Sequence, residues 1–367
     1  MQSKLRVAVL DRCVFPRVKL CGGWLSPPVW DALELLPRSY PGGLWAWQRC
    51  HVQYEGELHT VRAQGYFIRR FEFDEYLLRR SGAESIEHAV KHIERRGDEW
   101  VVDEKFAARF LIGAGGTNCP VARQLFPART DTPVGAQEHE FVAGAERVAA
   151  ARAGHDGEPE LLLHADFSGY SWNVPKGAWQ NVGTGTAEPR AVRAAFADAR
   201  RIFSDAGHLP EGTLEALQAA KGHTYHLFHA SHLEHCERDG ALLVGDALGL
   251  AHPLTAEGIL PALISGRLAA EAISRSDPKK YRTLMEQHPV IVDYALARDL
   301  LTLGLSWRER LGGMHSSIRL PRAVTRFSQA RIARGFAQLF SGGKLPYAAQ
   351  LRMGLAHARR LSGAAPA

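Results

Sequence analysis

The chain has 367 residues, of which 46% are hydrophobic and 23% are charged, and it carries a formal net charge of +6. This composition is that of a globular protein with two domains, or with one domain and an inserted lobe. The sequence lacks an apolar run of about 20 residues and a secretory signal pattern, and its five cysteines include no C-x-x-C pair. We therefore exclude membrane-spanning and secreted classes and expect a cytoplasmic protein.

The first predicted element is a strand at residues 7–10 that ends in Asp11-Arg12. An acid at the end of the second strand of a dinucleotide-binding fold hydrogen-bonds the adenosine ribose, and it follows a G-x-G-x-x-G turn by about 20 residues. Only ten residues precede Asp11 here, and the glycine turn is absent. Two explanations stay open: a misassigned start codon removed the first strand and glycine loop, or the protein functions without them.

Several motifs follow before residue 124. Residues 15–23 read F-P-R-V-K-L-C-G-G, and Gly22 and Gly23 allow the backbone to approach a ligand closely. Residues 44–65 alternate apolar and polar, and residues 65–78 lead into a predicted helix on which Asp74 favours the helix dipole. Residues 86–93, 99–103 and 107–112 are predicted to form a β-meander that ends in the glycine loop of residues 110–123.

Residues 134 to about 236 have the pattern of an inserted antiparallel lobe with one or two helices. Tyr170, Trp172 and Val174 would share one face of a strand, where the aromatics either line an apolar channel or belong to the core. Histidines recur at every third residue from 223 to 235. On an α-helix this period drifts about 60° per step, so they cannot share a face, and we expect no metal site.

The stretch of residues 241–259 carries the strongest signal. Four apolar residues lead into Gly245-Asp246, a loop with Pro253 follows, and Gly258 begins an apolar helix that extends to about residue 273. Open α/β sheets bind ligands at the carboxyl ends of their strands. An acid that accepts hydrogen bonds from ribityl hydroxyls, beside a helix N-terminus that favours a negative ring, suits a flavin.

From about residue 293 the chain is predicted to be helical, and its end is basic. Residues 301–367 carry ten Arg and one Lys against one acid, a net +10, so the rest of the chain carries −4. Five arginines alternate with apolar residues: Arg319, Arg322, Arg326, Arg331 and Arg334, between Phe327, Ile332, Phe336 and Leu339. This segment either contacts an anionic membrane surface or packs on the body. Nucleic acid is not expected, because no recognition motif accompanies the charge.

Together these motifs resemble the geranylgeranyl reductase family, within the para-hydroxybenzoate hydroxylase-like FAD-dependent oxidoreductases, over roughly residues 5–275. The matching segments are residues 241–259, F-P-R-x-K-x-C-G at 15–22, R-x-x-F-D-x-x-L at 70–77, and Tyr170-x-Trp172-x-Val-Pro175. Val174 replaces a family Phe, Gly115 replaces an acid, and Ala256 replaces a Gly. If residue 256 needs a positive φ, alanine costs on the order of 1 kcal/mol or more.

The resemblance implies an α/β fold: a Rossmann-like FAD-binding domain (1–40, 66–132 and 236–300), an inserted antiparallel-sheet substrate domain (41–65 and 133–235), and a basic helical tail (301–367). It implies that Cys21 lies near the flavin ring, while Arg70 either meets a cofactor phosphate or pairs with an acid. The expected cofactor-binding residues are Asp11, Arg12, Cys21, Gly22, Arg70, Gly245, Asp246, Pro253, Gly258 and Ile259. The expected catalytic residues are Cys21, Tyr170 and Trp172.

The resemblance implies an FAD-dependent oxidoreductase that acts on an apolar, isoprenoid or polyketide-like substrate, with reduction of a C=C bond as the first choice. Its electron donor would be NAD(P)H or a ferredoxin-like protein. A monooxygenase or halogenase on the same scaffold is the second choice, because fold does not fix function. A non-catalytic relative with an incomplete FAD site is the third.

Overall fold

The computed structural model describes residues 5–151, 157–311 and 322–341. Its strands are β1 (Ala8–Asp11), β2 (Trp24–Leu25), β3 (Leu44–Tyr54), β4 (Glu57–Ile68), β5 (Glu84–Glu87), β6 (Ile93–Arg96), β7 (Glu99–Val102), β8 (Phe106–Ala108), β9 (Leu111–Gly113), β10 (Val134–Val142), β11 (Glu160–Leu163), β12 (Gly169–Lys176), β13 (Trp179–Thr186), β14 (Lys221–Tyr225), β15 (Glu237–Arg238) and β16 (Ala241–Leu243). Its α-helices are α1 (Pro28–Leu33), α2 (Arg70–Ser81), α3 (Pro120–Leu125), α4 (Ala145–Ala151), α5 (Val192–Asp205), α6 (Thr213–Ala216), α7 (Ile259–Ser274), α8 (Lys280–Gln287), α9 (Pro289–Leu311) and α10 (Arg322–Leu339).

The largest sheet has eight strands in the order β14-β10-β13-β12-β11-β3-β4-β2. All of its pairs are antiparallel except β11 with β3. The alternation predicted for residues 44–65 is the β3–β4 hairpin, whose tight turn places Glu55 and Gly56 at positive φ. Helix α5 packs on this sheet through Phe196, Ala199 and Phe203, which are buried.

Two further parallel strand pairs lie outside the large sheet. Strand β1 pairs with β5, and β16 pairs with β9, in both cases in parallel. The buried strand predicted before Gly245 is therefore β16, and the predicted helix after Gly258 is α7. The face of α7 around Leu260, Ile264 and Leu268 enters the largest core cluster. Tyr281 of α8 donates to the carbonyl oxygen of Leu243 (2.9 Å), which ties α8 to the end of β16.

The predicted meander differs from the structure in its first and third strands, and residues 107–112 are divided between β8 of the meander and β9, which pairs with β16. Residues 86–93 do not form one strand, because Ile86 belongs to β5 beside β1, whereas Ile93 begins the separate β6-β7-β8 meander. The break between them is held by Asp103, whose carboxylate accepts from the backbone N–H groups of Lys91 and His92. This contact spans more than ten residues, so local alternation did not reveal it.

The repeated histidines lie on two short elements and the segment between them, and not on one α-helix. His223 lies in β14, whereas His232 and His235 belong to a 3-10 helix at Ala230–His235. Asp131 accepts from both His226 (2.7 Å) and His232 (3.3 Å). Within the described ranges, no group of three or more potential metal ligands is found.

Helix α10 lies against β4 and β3 of the large sheet. Ala333, Ala337 and Phe340 are buried there, whereas Arg331 and Arg334 are exposed. Of the two alternatives for the basic segment, packing on the body therefore applies to residues 329–341. Arg319 and the residues after 341 lie outside the described residues. In the described part of the chain, no helix has both the length and the apolar character needed to cross a membrane.

Candidate active site

One large cavity, of about 520 Å³, lies where the turn after β16, the N-terminus of α7, the loop before β2 and the face of the large sheet meet. A volume of this size is typical of small-molecule sites. Aromatic side chains form much of its wall: Trp24, Tyr170, Trp172, Tyr225 and Phe340. Its ionisable side chains include those of Lys19, Arg70, Asp74, Glu138, Asp246 and Glu257. The cavity therefore combines an apolar wall with a polar end.

The turn after β16 places Asp246 in the cavity wall. Gly245 has φ +55°, and a Cβ at this residue would lie 3.0 Å from the Cβ of Ala262, so the turn packs against α7. The hydroxyl of Ser265 accepts from the N–H of Gly245 (3.0 Å). Two glycine-specific features and one buried hydroxyl thus fix the turn, which explains why a short motif was sufficient to predict it.

The loop before α7 is held by a histidine. The Nδ1 atom of His252 accepts from the N–H groups of Leu254 and Thr255 (3.1 Å each). Burial lowers the pKa of His252 to about 4, which favours the neutral ring that this double acceptor requires. Ala256 has φ +57°, so alanine occupies the left-handed conformation for which the sequence motif prefers glycine. The condition stated for residue 256, a positive φ, is therefore met, and alanine adopts it under backbone strain.

The start of α7 lies next to Asp246. A Cβ at Gly258 would be 3.1 Å from Oδ1 of Asp246, so glycine leaves open the space beside the carboxylate. The first N–H groups of the 16-residue helix have no intrahelical acceptor, and the dipole makes this end positive. An acceptor carboxylate and a row of donors thus border the same part of the cavity.

The loop that carries Cys21 is bound on several sides. The N–H of Cys21 donates to Oε1 of Glu138, and the Asn181 amide donates to the Cys21 carbonyl oxygen (3.4 Å). The sulfur of Cys21 accepts from the N–H of Gly23 (3.3 Å). A Cβ at Gly22 would lie 3.2 Å from Nε1 of Trp172, so glycine permits the indole to pack on the loop. The thiol is thus presented to the cavity on a fixed backbone.

The predicted aromatic motif lies in the cavity wall on β12. Tyr170 donates to the carbonyl oxygen of Thr255 (2.6 Å), and the Trp172 indole donates to Oδ1 of Asn181 (2.7 Å). The Tyr170 ring also meets Phe340 from the residues that follow α10, with ring centres 5.4 Å apart. Val174 is fully buried beneath them in the core. Both alternatives therefore apply in part: two aromatics line the cavity and the third residue is core.

Arg70 and Asp74 form a bidentate ion pair (2.6 and 2.8 Å) within α2. Asp74 is the fifth residue of the helix, beyond its first turn, so the expected dipole role is wrong and its carboxylate pairs with Arg70 instead. Of the two alternatives for Arg70, the structure shows the pairing with an acid. Both residues nevertheless line the cavity.

Two buried carboxyl groups of the cavity were missed by sequence reasoning. Glu138 on β10 is 3% exposed, and burial raises its pKa to about 7. Burial also raises the pKa of Glu257 to about 7, although Ser26 donates to its carboxylate (2.7 Å). For Glu138, the sequence feature that could have revealed its position is the period of two in β10, which places Ala136, Glu138 and Glu140 on one face. No motif marks either acid.

The cavity brings together most of the residues predicted for the site. Those that line it are Cys21, Gly22, Arg70, Tyr170, Trp172, Gly245, Asp246, Gly258 and Ile259. Asp11, Arg12 and Pro253 do not line it. Asp11 accepts from the N–H of Cys13 (2.9 Å) and from Arg17 (3.2 Å) at the end of β1. The individual roles of all these residues stay predictions.

The flavin implied by the sequence resemblance can be tested against these observations. Asp246 and the start of α7 supply an acceptor and donors at the polar end, Gly22 and Gly258 leave room for close approach, and the aromatic wall suits a planar ring. The described residues thus fit the ring and ribityl part of FAD. Asp11, predicted for the adenosine part, lies outside this cavity.

Comparison with known proteins supports this interpretation. No protein-family model matches the chain. The chain is 30% identical to digeranylgeranylglycerophospholipid reductase 1 of Methanopyrus kandleri over 59% of its own length, and it covers 60% of that relative. It is 26% identical to geranylgeranyl diphosphate reductase of Rhodobacter capsulatus over 74% of its length and 69% of that relative.

Solved structures give the same fold. A geranylgeranyl bacteriochlorophyll reductase-like protein of Thermoplasma acidophilum has a TM-score of 0.60 at 17% identity, with 95% of this chain and 93% of that chain covered. A probable FAD-dependent monooxygenase of Pseudomonas aeruginosa has a TM-score of 0.57 at 19% identity, with 85% and 93% covered. The chain is therefore similar in sequence to geranylgeranyl reductases and shares its fold with an FAD-dependent monooxygenase and a geranylgeranyl reductase-like protein, which confirms the resemblance and the fold class that the sequence predicted.

Proposed function

We propose that this chain uses FAD to reduce carbon–carbon double bonds in an apolar, isoprenoid-type substrate. The observation that carries the proposal is the cavity itself, whose aromatic wall continues from the polar end at Asp246 to Phe340. Such a wall excludes water and packs well against methyl-branched hydrocarbon. The names of the two relatives above, both reductases of geranylgeranyl compounds, favour this substrate class.

Reduced FAD, when bound, would supply a hydride to the double bond, and two electrons from NAD(P)H, or one from each of two ferredoxin-like molecules, would reduce the flavin again. In this proposal the protein binds and orients the cofactor and the substrate. Asp246 and the start of α7 hold the polar part of the cofactor, and the Cys21 loop approaches it with a backbone fixed by Glu138 and Asn181. Tyr170 and Trp172 position the hydrocarbon and keep water away. The cysteine pattern is in keeping with a cytoplasmic location.

The test is a single-turnover reaction without oxygen. The protein is loaded with FAD, reduced with dithionite, and mixed with a geranylgeranyl diphosphate or with its fully saturated analogue as the matched control. We expect reoxidation of the flavin and a product heavier by two hydrogens with the unsaturated compound only. Reoxidation at the same slow rate with both compounds would contradict the proposal.

The second candidate is a monooxygenase or halogenase, which the likeness to an FAD-dependent monooxygenase keeps open at the level of fold. The same reduced protein mixed with oxygen, and with chloride or bromide present, distinguishes the two. A hydroxylated or halogenated product would support the second candidate. A protein that binds the hydrocarbon but yields no product under either condition would support the non-catalytic alternative.

A further inference from the structure

Apart from its contact with the Cys21 loop, Glu138 has no role in the function proposed so far, yet its position is unusual for an acid. It lies in the middle of β10, 3% exposed, and lines the cavity beside Cys21. Its cross-strand partner is Gly183, and a Cβ there would lie 2.8 Å from the Cβ of Glu138. The sheet therefore has a glycine where it must make room for this side chain and for the Trp172 indole next to it.

The charges around Glu138 balance without it. Three cations and three carboxylates form close pairs on α2 and around Glu140, the next residue on the same face of β10: Lys176 with Glu140 (2.6 Å), Arg69 with Glu140 (3.0 Å) and with Glu72 (2.7 Å), and Arg70 with Asp74 (2.6 Å). Lys176 is fully buried, and its charge is neutralised by the ion pair with Glu140. An ionised Glu138 would add a negative charge with no cation of its own, which favours the protonated acid.

The hydrogen bonds at Glu138 agree with this. Its Oε1 accepts from the N–H of Cys21, while its Oε2 has no partner among the described residues. A carboxylate buried in this way would lack the several donors that normally stabilise the charge. A carboxylic acid needs only one acceptor for its proton, and a substrate atom in the cavity can take that proton.

We propose that Glu138 is the proton donor to the substrate in this cavity. This inference rests on the proposed function. Reduction of a C=C bond forms two C–H bonds, one from the hydride and its electron pair and the other from a proton. The O–H bond of Glu138 breaks as the second C–H bond forms, and Glu138 is left as a carboxylate. It regains its proton from water once the product has left, while the external donor replaces the two electrons.

The pH dependence follows from the groups that face Glu138. These are Lys176 on β12, Glu140 on β10, Arg70 on α2, the Cys21 N–H on its loop, and Tyr225 on β14. Burial raises the pKa of Glu138 to about 7, against the lowering influence of Lys176. The acid is therefore protonated below that pH and loses its proton above it, so the rate of substrate reduction should fall as the pH rises through about 7.

The first test does not depend on turnover. Glu138→Gln keeps an oxygen acceptor for the Cys21 N–H, so the loop contact is preserved. Infrared difference spectra of the protein between pH 6 and 8 should contain carbonyl bands of protonated carboxyl groups, and one band should be absent in the variant. Glu257→Gln should remove a different band. Spectra of Glu138→Gln identical to those of the wild-type protein would overturn the proposal.

The second test is kinetic and uses the single-turnover reaction. At pH 6 we expect Glu138→Gln to slow substrate reduction by about 100-fold or more, as loss of a general acid does. In the plot of rate against pH, the variant should also lack the fall in rate above about pH 7. Glu160→Gln is the matched control, because Glu160 is another buried acid of the same sheet and contacts His208 outside the cavity. This variant should keep both the wild-type rate of substrate reduction and its fall above about pH 7.

Four outcomes separate the hypotheses. If Glu138→Gln reduces the substrate at the wild-type rate and keeps the fall in rate above about pH 7, the assignment is overturned. It is also overturned if that fall disappears only in Glu257→Gln. If the wild-type protein reduces no isoprenoid, the proposed function fails, and the infrared titration alone then decides whether Glu138 holds a proton. Slower reduction in Glu138→Gln together with unchanged FAD retention supports proton donation and not a loss of cofactor binding.

Discussion

The Nζ atom of Lys19 lies 3.6 Å from Oδ2 of Asp246 in the cavity wall. This ion pair joins the loop of residues 15–23 to the turn after β16, which are the two segments that the sequence independently assigned to the cofactor. The pKa of Lys19 is lowered, first by the neighbouring Arg70 and then by burial, while Asp246 opposes this shift. The polar end of the cavity thus contains two neighbouring cations, of which Lys19 pairs with Asp246 and Arg70 pairs with Asp74.

Removal of the Asp246 carboxylate should abolish flavin retention. Asp246→Ala deletes the acceptor beside α7 and removes the carboxylate that pairs with Lys19, whereas Arg70 keeps its ion pair with Asp74. We expect a folded protein, because the turn is fixed by Gly245 and Ser265 and not by the carboxylate. Absorbance at the flavin bands after desalting measures retention, and circular dichroism measures folding. Asp98→Ala, at a fully exposed turn, is the control. Wild-type flavin content in Asp246→Ala would refute the assignment.

The loop before α7 should become unstable in acid. Because burial holds the pKa of His252 at about 4, against about 6.5 in the unfolded chain, the unfolded state binds more protons between these values. The free energy of unfolding should therefore fall as pH drops from 6.5 to 4, by up to about 3 kcal/mol from this residue. Urea unfolding at several pH values measures the slope.

His252→Asn is the variant that isolates this effect. The Asn side-chain oxygen can accept from the N–H groups of the loop but does not titrate, so part of the acid slope should disappear. His92→Asn, which changes a largely exposed histidine, should leave the slope unchanged. Equal slopes in the wild-type protein and His252→Asn would show that His252 is not buried in the neutral form.

Relief of the strain at residue 256 should stabilise the protein. Ala256 has φ +57°, which costs an L-residue about 1–2 kcal/mol. Ala256→Gly removes this cost, but the unfolded chain gains entropy worth about 0.4–1 kcal/mol. We expect a net increase in the free energy of unfolding of about 0.5–1 kcal/mol. Ala262→Gly, within α7, should instead lower it by about 1 kcal/mol. A loss of stability in both variants would show that the strain at residue 256 is not released.

The packing of α10 on the sheet should depend on its buried face. Ala337 is fully buried against the sheet, whereas the adjacent Gln338 is exposed. Ala337→Glu forces a charge into this interface and should detach the helix, so limited proteolysis should cut near residue 340 much faster than in the wild-type protein. Gln338→Glu introduces the same charge one residue later. Similar cleavage of both variants would exclude the packed helix.

The features that were predictable from sequence are local ones. The turn at Gly245-Asp246 and the start of α7 at Gly258 depend on glycine conformation and helix termination, which a few adjacent residues encode. Tyr170 and Trp172 were placed on one strand face by the period of two. The left-handed conformation at Ala256 was raised only as a condition by the same motif, and the structure is what shows it.

The features that were missed depend on contacts between distant segments. Glu138 meets Cys21 from 117 residues away, and its buried position depends on the glycine opposite it in β13. The break after Ile86 depends on Asp103, and the pairing of Asp74 depends on where α2 begins. Hydrophobic pattern alone did not decide whether the basic segment faces a membrane or the body, because both alternatives need the same amphipathic helix.

The most direct test of this account is the visible absorption spectrum of the purified chain after incubation with excess FAD and desalting. We predict flavin bands near one equivalent per chain, bleached by dithionite, because Asp246, the start of α7 and the Cys21 loop border the cavity that we propose for the ring and ribityl part of FAD. A folded but colourless chain would contradict the central claim that this cavity holds the cofactor.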